Sequence, residues 1–175
     1  MGSVIDVRLD TNFVRPVIPY PIAEGTLDVL VDTGAFKPVW NGSSDTLLVY
    51  FPDAEITEYK TTVSGFGGSS KSIREVWKIP HFELTDSIDQ RKGYRIKNLL
   101  VAVIDDMDLG FNLILSATLF KKVNYTIANR DTNAPHMLIE CGDREYYCIA
   151  DGVKELNDVN YISRVTTFIQ GDDNA

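Results

Sequence analysis

Residues 27–36 read LDVLVDTGAF, an alternating and mostly apolar run that ends in Asp-Thr-Gly before two more apolar residues. The segment Leu27–Val31 has the composition of a β-strand. Asp-Thr-Gly by itself usually marks a turn, but a turn aspartate normally has polar neighbours. The apolar flanks of Asp32 therefore indicate a carboxylate in surroundings that are typical of functional groups.

The length and composition are those of a globular domain. The chain has 175 residues, of which 44% are hydrophobic and 24% are charged, and this size is sufficient for one domain with a substantial core. We predict a single domain over residues 1–175. Its core is expected at about 13–150, a C-terminal helix and strand at 151–170, and a polar tail at 171–175.

The charge of the chain argues against two classes of partner. The formal net charge is −8, from 17 basic and 25 acidic residues, whereas a nucleic-acid interface requires clustered lysine and arginine. The same charge argues against docking on anionic lipid. No apolar run approaches the roughly 20 residues of a membrane span, and the N-terminus lacks the basic and apolar regions of a signal peptide. We therefore expect neither nucleic acid nor a membrane as a partner.

The two cysteines, Cys141 and Cys148, match no zinc-binding spacing. Two cysteines do not make a disulfide framework, so we expect two partly buried, reduced thiols. Together with the N-terminal sequence, this predicts a cytoplasmic protein.

Most of the chain has the pattern of short strands, rich in β-branched and aromatic residues and separated by turn signals. The candidate strands are Phe13–Ile22, Leu27–Val31, Thr46–Tyr50, Glu58–Ser64, Arg74–Leu84, Leu99–Ile104, Tyr125–Ala128, Met137–Glu140, Tyr146–Ala150 and Tyr161–Ile169. The prolines of Phe13–Ile22 predict an edge strand or a bulged one. Short helices are predicted in residues 115–123, with Ser116 as the N-cap, and in Asp151–Val159. The pattern predicts an all-β, barrel-like domain.

A second stretch, TTVSGFGGSSKS at residues 61–72, contains three glycines within four residues between β-rich segments. It predicts a hairpin tip whose backbone can approach another molecule closely, or a purely structural hairpin. The pattern from Gly65 to Ser72 nearly matches a phosphate-binding loop, but Ser70 stands where that motif needs glycine. The following Ile73–Pro80 is also a poor helix, and a phosphate loop needs a helix N-terminus.

A third stretch, FNLILSATLFKKVNYTI at residues 111–127, runs from an apolar strand into a short helix. In this order the three stretches resemble the retropepsin-like aspartic peptidases, including their bacterial relatives. The resemblance lies in an apolar strand that leads into Asp-Thr-Gly-Ala at 32–35, a glycine-rich flap at 63–68 and an Ile-Leu-Gly-like motif at 114–116. It covers roughly residues 13–128.

The resemblance implies a closed β-barrel-like half that carries one catalytic aspartate, and two such halves that meet at a two-fold axis. It implies that Asp32 is the catalytic carboxylate, that the Thr33 hydroxyl bonds across to the partner's loop, and that Gly34 lets the substrate backbone come close. Ala35 is expected to contact the substrate as well. The flap that closes over the substrate is implied to consist of Gly65, Phe66, Gly67 and Gly68.

Two carboxylates explain the chemistry of such a site. At about 3 Å apart they cannot both ionise, so they share one proton. The charged carboxylate takes a proton from a water, the protonated one polarises the scissile carbonyl, and neither a metal nor a cofactor is needed. The chain has one Asp-Thr-Gly and is too short for two halves. Asp32 of a second copy must therefore be the partner, which predicts a homodimeric aspartic endopeptidase acting on peptides or proteins.

Three positions depart from the family pattern. Ser116 stands where the family usually has glycine. Phe36 and Ala117 stand where retroviral members pair an acid with an arginine. We therefore expect the dimer contact to be built from another segment, for which Tyr161–Ile169 is the candidate.

Two other interpretations remain open. A barrel of this shape can bind a peptide or a partner protein without cutting it. A metal ion can be held by acidic residues such as those of Asp105–Asp108, although no calcium-loop spacing is present and a solvated acidic turn is favoured. Serine or cysteine chemistry has no support, since neither His81 nor His136 lies beside a nucleophile in a recognisable motif.

Overall fold

The computed structural model describes residues 3–35, 37–63, 72–105, 111–128, 135–144, 146–152 and 161–163, and most of these lie in β-strands. The strands are β1 (Val4–Arg8), β2 (Val17–Ile22), β3 (Gly25–Asp32), β4 (Val39–Asn41), β5 (Glu55–Val63), β6 (Ser72–Thr85), β7 (Gly93–Ile104), β8 (Leu113–Ser116), β9 (Asn124–Ala128), β10 (His136–Glu140), β11 (Tyr147–Asp151) and β12 (Tyr161–Ser163). The described helices are α1 (Ser44–Tyr50) and one 3-10 helix (Ala117–Phe120). The prediction of an all-β protein with short helices is confirmed.

Within the described residues the strands form two sheets. The smaller has the order β1-β10-β9, and the larger has the order β12-β5-β6-β7-β4-β8-β3-β2, with β11 added to β7. The strand order of the larger sheet ends at β12 on one side and at β2 on the other. The predicted closed barrel is therefore not found in the described part of the chain. At the β2 edge the physical reason is that Pro19 and Pro21 have no N–H to donate to a further strand. The prediction of an edge strand in Phe13–Ile22 is confirmed.

Two parallel strands, β3 and β8, lead through the larger sheet to the Asp-Thr-Gly turn. Their register pairs Val29 with Leu113 and Asp32 with Ser116. Residues 29–31 and 113–115 are all buried, as expected for adjacent strands that are covered on both faces. Asp32 therefore lies at the end of an enclosed pair of strands.

Alternation along β3 divides the apolar core between two clusters. Val29 and Val31 belong to the larger cluster, whereas Leu30 belongs to the smaller one. The smaller cluster consists of Val17, Leu30, Val39, Ala102, Ile104 and Ile114. Four half-buried side chains pack against it, namely Phe13, Ala35, Val63 and Phe111. The residue after Asp-Thr-Gly thus shares a cluster with the end of β5.

The predicted strand Thr46–Tyr50 is wrong, because this segment lies in α1. Ser43 is the N-cap, and its Oγ accepts a hydrogen bond from the Thr46 backbone N–H at 3.2 Å. Asp45 in the first turn also favours a helix, since negative charge stabilises a helix N-terminus. Leu47 is the buried anchor of the helix.

The predicted helix in residues 115–123 is shorter than expected. β8 continues through Ser116, and only Ala117–Phe120 forms a 3-10 helix. Ser116 occupies the N-cap position, but its side chain makes no capping hydrogen bond. Its hydroxyl lies 2.5 Å from the hydroxyl of Thr118 instead. The predicted capping role of this hydroxyl is therefore wrong.

The C-terminal predictions fall only partly on described residues. Asp151 ends β11, and residues 153–159 of the predicted helix Asp151–Val159 lie outside the described residues. Of the predicted strand Tyr161–Ile169, Tyr161–Ser163 forms β12. It pairs antiparallel with β5 of the same chain, with Tyr161 opposite Thr61. This part of the proposed dimer strand is therefore paired within its own subunit.

Cys141 and Cys148 form a disulfide, so the prediction of two reduced thiols is wrong. The chain turns back between β10 and β11 and brings the two Cα atoms to 5.3 Å, a separation that a disulfide spans readily. The expected cytoplasmic location loses one of its two supports and stays a prediction. Among the described residues, no helix has the length and apolar character needed to cross a membrane.

Candidate active site

The Asp-Thr-Gly tripeptide forms a tight turn directly after β3. The Gly34 backbone N–H donates to Asp32 Oδ1 at 2.9 Å, and the Ala35 N–H donates to the Asp32 carbonyl oxygen at 3.1 Å. A Cβ at position 34 would lie only 3.3 Å from Asp32 Oδ1, so glycine here lets the carboxylate lie close over the backbone. The turn therefore holds one carboxylate oxygen in a fixed orientation.

The exposure of the turn differs from residue to residue. Asp32 and Ala35 are half-buried, whereas Thr33 and Gly34 are exposed. The carboxylate thus lies at the surface of the chain and not inside its core, although the strand that leads to it is enclosed. In this position it is accessible to water, to a peptide or to another subunit.

The structure brings parts of all three predicted stretches together. Ala35 from the turn, Val63 from the end of β5 and Phe111 from the segment before β8 all pack against the smaller apolar cluster. Phe13 joins them, with its ring centroid 5.4 Å from that of Phe111. An apolar rim, defined by these four side chains, therefore lies beside the Asp32 turn.

The arms of the glycine-rich segment form a hairpin. β5 and β6 pair antiparallel up to Val63 and Ser72, and residues 64–71, which connect them, lie outside the described residues. The predicted flap residues all lie outside the described residues; they are Gly65, Phe66, Gly67 and Gly68. Because Ser72 begins a strand and not a helix, the segment does not provide the helix N-terminus of a phosphate-binding loop.

Lys37 is a candidate that the sequence analysis missed. Its Nζ donates to Thr61 Oγ1 at 2.6 Å and to the Thr62 carbonyl oxygen at 2.7 Å. Thr61 has 0% of its surface exposed. In the sequence, Thr61 is only a threonine within a predicted strand. Its partner Lys37 lies 24 positions away. Periodicity carries no information about contacts over that distance.

The other predicted centres of chemistry do not assemble. Asp105 is exposed, and residues 106–108 lie outside the described residues. No group of three potential metal ligands is found in the described part of the chain. His81 is exposed, while His136 Nδ1 lies 2.5 Å from Asp6 Oδ1 and joins β10 to β1.

A cavity of about 610 Å³ lies beside the 3-10 helix and the disulfide loop. Thr118, Lys122, Cys141 and Arg144 are among the residues that line it. Of the predicted site residues that the structure describes, none lines this cavity. The cavity is therefore separate from the Asp32 turn.

No protein-family model and no curated protein matches the sequence. Among solved structures, the chain is similar to a retropepsin-like aspartic protease from Rickettsia conorii, with 14% sequence identity and a TM-score of 0.44. The similarity covers 80% of this chain and 92% of that chain. At these values it assigns neither an activity nor a site residue to this chain.

Proposed function

We propose that the chain is an aspartic endopeptidase whose active species is a homodimer, with one Asp32 carboxylate from each subunit. The observation that carries the proposal is the Asp32 turn. It holds a half-buried carboxylate at the end of an enclosed strand and fixes one oxygen through the Gly34 N–H at 2.9 Å. A catalytic group needs this combination of fixed orientation and access.

In the proposed mechanism the two Asp32 carboxylates share one proton, because like charges about 3 Å apart cannot both be ionised. The ionised carboxylate accepts a proton from a water, and the protonated one donates a hydrogen bond to the scissile carbonyl. The water oxygen attacks the carbonyl carbon. The C–N bond then breaks as the leaving amine receives a proton. The Gly34 N–H keeps Asp32 oriented throughout, and the Thr33 hydroxyl bonds to the loop of the partner.

The proposed substrate site lies between the Asp32 turn and the glycine-rich hairpin. Ala35 forms its floor, and the flap that closes over it is formed by Gly65, Phe66, Gly67 and Gly68. The apolar rim supports this assignment, because Ala35 and Val63 pack against one cluster. Phe13 and Phe111 add aromatic surface there, which favours substrates with apolar side chains near the cleaved bond.

Asp32→Asn tests the catalytic role. Asparagine keeps an oxygen that can accept the Gly34 N–H, but it cannot exchange a proton with water or with a second carboxylate. Cleavage of an unfolded protein should fall by about 10³-fold or more. Asp28→Asn is the matched control, since Asp28 lies half-buried on the same strand and loses the same charge. An Asp32→Asn chain that folds and keeps a tenth of the activity would contradict the proposal.

The homodimer is tested by mixing subunits. Wild-type chains are combined with an excess of Asp32→Asn chains, and exchange of subunits is followed with a fluorescent label. Mixed dimers hold one ionisable Asp32, so total activity should follow the square of the wild-type fraction. Activity that stays constant per wild-type chain after confirmed exchange would show that each chain works alone.

Peptide binding without cleavage is the alternative, and the same proteins distinguish it. In that case the wild-type chain binds an apolar peptide saturably without cutting it, and the binding survives Asp32→Asn. The chain is then a peptide-binding module of this fold.

A further inference from the structure

The cavity beside the 3-10 helix is a place where three separate parts of the chain bring cationic side chains together. Lys97 comes from β7, Lys122 from the residues after the 3-10 helix, and Arg144 from the disulfide loop, residues 141–148. All three side chains are exposed, so a ligand from solution can reach them. The cavity volume of about 610 Å³ is in the range of pockets that bind small organic molecules. These three residues are called the basic cluster below.

The charges of the basic cluster have no acidic partner within the described part of the chain. Neither a hydrogen bond nor an ion pair is found there for these three side chains. Other cations of the chain are paired: Lys78 Nζ lies 3.3 Å from Glu55 Oε2, and Arg95 Nε lies 3.4 Å from Glu83 Oε2. Three unpaired cations at one cavity repel one another, and a bound anion would relieve that repulsion.

Acidic side chains also belong to the lining of the cavity. Asp143 is exposed in the disulfide loop, and Asp151 lies opposite Lys97 in the register of β11 and β7. Lys121 is a fourth cation of the lining, but both Lys121 and Asp151 have further contacts, so neither carries the inference. Among the described lining residues, four cations still face two carboxylates. The cavity therefore favours an anion over a cation.

The backbone that carries Arg144 is held in place by the fold. The Ser3 backbone N–H donates to the Arg144 carbonyl oxygen at 2.9 Å, and the Cys141 N–H donates to the Ser3 carbonyl oxygen at 2.9 Å. The disulfide between Cys141 and Cys148 closes the same loop. A charged group on a fixed backbone loses less conformational entropy when a ligand binds, and this favours binding.

The chemistry of the lining indicates the kind of anion. Arginine contacts two oxygens of a phosphate group at once, and lysine is a common phosphate ligand through its point charge. A phosphate monoester carries a charge of about −1.5 to −2 at neutral pH, so one group can interact with several cations. The cavity also has an apolar wall, which consists of Leu119, Val123, Ile149 and Ala150. An apolar wall beside the cations suits a ligand with an organic part.

We infer that this cavity is a binding site for a small organic phosphate, with the phosphate group at the basic cluster and the organic part against the apolar wall. Residues 32–35 of the Asp32 turn do not line the cavity. The inference is therefore independent of the proposed function.

Phenyl phosphate is the probe that tests the site. Calorimetric titration should show saturable binding of one molecule per chain, and the amide resonances of residues 94–97, 118–123 and 141–144 should shift with the same dissociation constant. Inorganic phosphate should bind about tenfold more weakly, because it lacks the ring that packs on the apolar wall. Phenol should not bind saturably at the same concentrations, because it lacks the charge. The affinity for phenyl phosphate should fall as salt is added.

Two variants and a matched control locate the binding. Arg144→Gln and Lys122→Gln each remove one charge from the basic cluster, and each should weaken phenyl phosphate binding about tenfold. Lys78→Gln removes the same charge from a residue that pairs with Glu55 and does not line the cavity. It should leave the affinity within about twofold of the wild type, since salt screens a charge outside the site.

Several results would overturn the inference. They are the absence of saturable phenyl phosphate binding, resonance shifts confined to other parts of the chain, and full affinity in both Arg144→Gln and Lys122→Gln. An equal loss of affinity in Lys78→Gln would also overturn it, because binding would then follow the total charge of the chain. Inorganic phosphate that binds as tightly as phenyl phosphate would contradict the role of the apolar wall. None of these measurements depends on peptide cleavage, so their failure leaves the proposed function to its own test.

Discussion

Ser116 pairs with Asp32 across the parallel strands β3 and β8. Ser116 has 0% of its surface exposed, and its hydroxyl lies 2.5 Å from that of Thr118. The end of β8 is therefore packed beside the strand end that presents the candidate catalytic carboxylate. A larger side chain at position 116 has no free volume to occupy and must move one of the two strand ends.

Ser116→Leu is expected to lower the free energy of unfolding by about 1–3 kcal/mol through overpacking and to reduce cleavage more than tenfold by displacing Asp32. Thr118→Val is the matched control. It removes the hydroxyl pair and keeps the volume at position 116, so it should cost about 1 kcal/mol with little effect on cleavage. Urea denaturation and initial rates measure the two effects. If Ser116→Leu and Thr118→Val lose equal activity per folded molecule, the volume of the side chain at position 116 does not control the position of Asp32.

Asp86 is a buried carboxylate that caps its own loop and holds β1. Its Oδ1 accepts the backbone N–H groups of Ile88 at 2.9 Å and Asp89 at 2.8 Å, and its Oδ2 accepts that of Asp6 at 2.7 Å. Desolvation by burial raises the pKa of Asp86, but these hydrogen bonds and the charge of Lys92 outweigh it, and the net pKa is lowered. The ionised form is therefore the one that the fold stabilises.

The sign of the pH dependence follows from this lowered pKa. The stability that Asp86 contributes is fully present above its unfolded pKa of about 3.9 and is lost as the pH falls through the lower folded pKa. Asp86→Asn should cost about 2 kcal/mol at neutral pH, and the difference from wild type should shrink in acid. The exposed Asp53→Asn serves as the control and should change little at any pH. A constant difference between Asp86→Asn and wild type down to strong acid would contradict the assignment.

His136 and Asp6 are separated by 130 positions, and their side chains join β10 to β1 with 2.5 Å between Nδ1 and Oδ1. Both side chains are only about one quarter exposed. A double-mutant cycle with Asp6→Ala and His136→Ala should give a coupling free energy of about 1 kcal/mol. The pair of exposed Arg91 and half-buried Asp89 should give a smaller coupling free energy in the same measurement, because the Arg91 side chain is 74% exposed. Equal coupling free energies in the two cycles would contradict the larger contribution to stability that is expected for the contact between Asp6 and His136.

The disulfide between Cys141 and Cys148 closes a loop with a sequence separation of 7. A crosslink over so short a loop is expected to contribute about 2 kcal/mol, chiefly by restricting the unfolded chain. Cys141→Ala with Cys148→Ala should lower Tm by about 6 °C, and a reductant should lower the Tm of the wild type but not that of the variant. A wild type whose Tm is unaffected by full reduction would show that the disulfide makes no contribution.

Local sequence patterns predicted those strands whose conformation is decided by residues within the strand itself. The apolar run of β3 and the prolines of β2 each act within a few residues, so they are visible in the sequence. α1 was missed because the apolar residues Leu48, Val49 and Tyr50 include two that favour strands, Val49 and Tyr50. Two of these side chains are exposed, at 37% for Leu48 and 74% for Val49, so the Ser43 cap and the burial of Leu47 decide the conformation instead.

The sequence pattern predicts Asp32 as the central residue of the candidate site through its apolar flanks, and this stays a prediction. The surroundings of Asp32 could not be predicted from the sequence. The contact of Lys37 with Thr61 joins residues 24 positions apart, so it depends on the course of the chain, which no local window contains. The pairing of Cys141 with Cys148 spans only 7 positions, but it depends on how the chain turns back between β10 and β11.

The pairing of β1 with β10 has a consequence for how the protein is made. The register sets Val4 opposite Glu140 and Arg8 opposite His136. A ribosome adds about 5–20 residues per second, so β1 exists for roughly ten seconds before its partner strand has been synthesised. During that interval Ile5 and Val7, which are buried in the finished protein, have no β10 to cover them. The nascent chain therefore carries an unpaired apolar strand until β10 has been synthesised, and chaperones that shield such segments should bind it near residues 4–9.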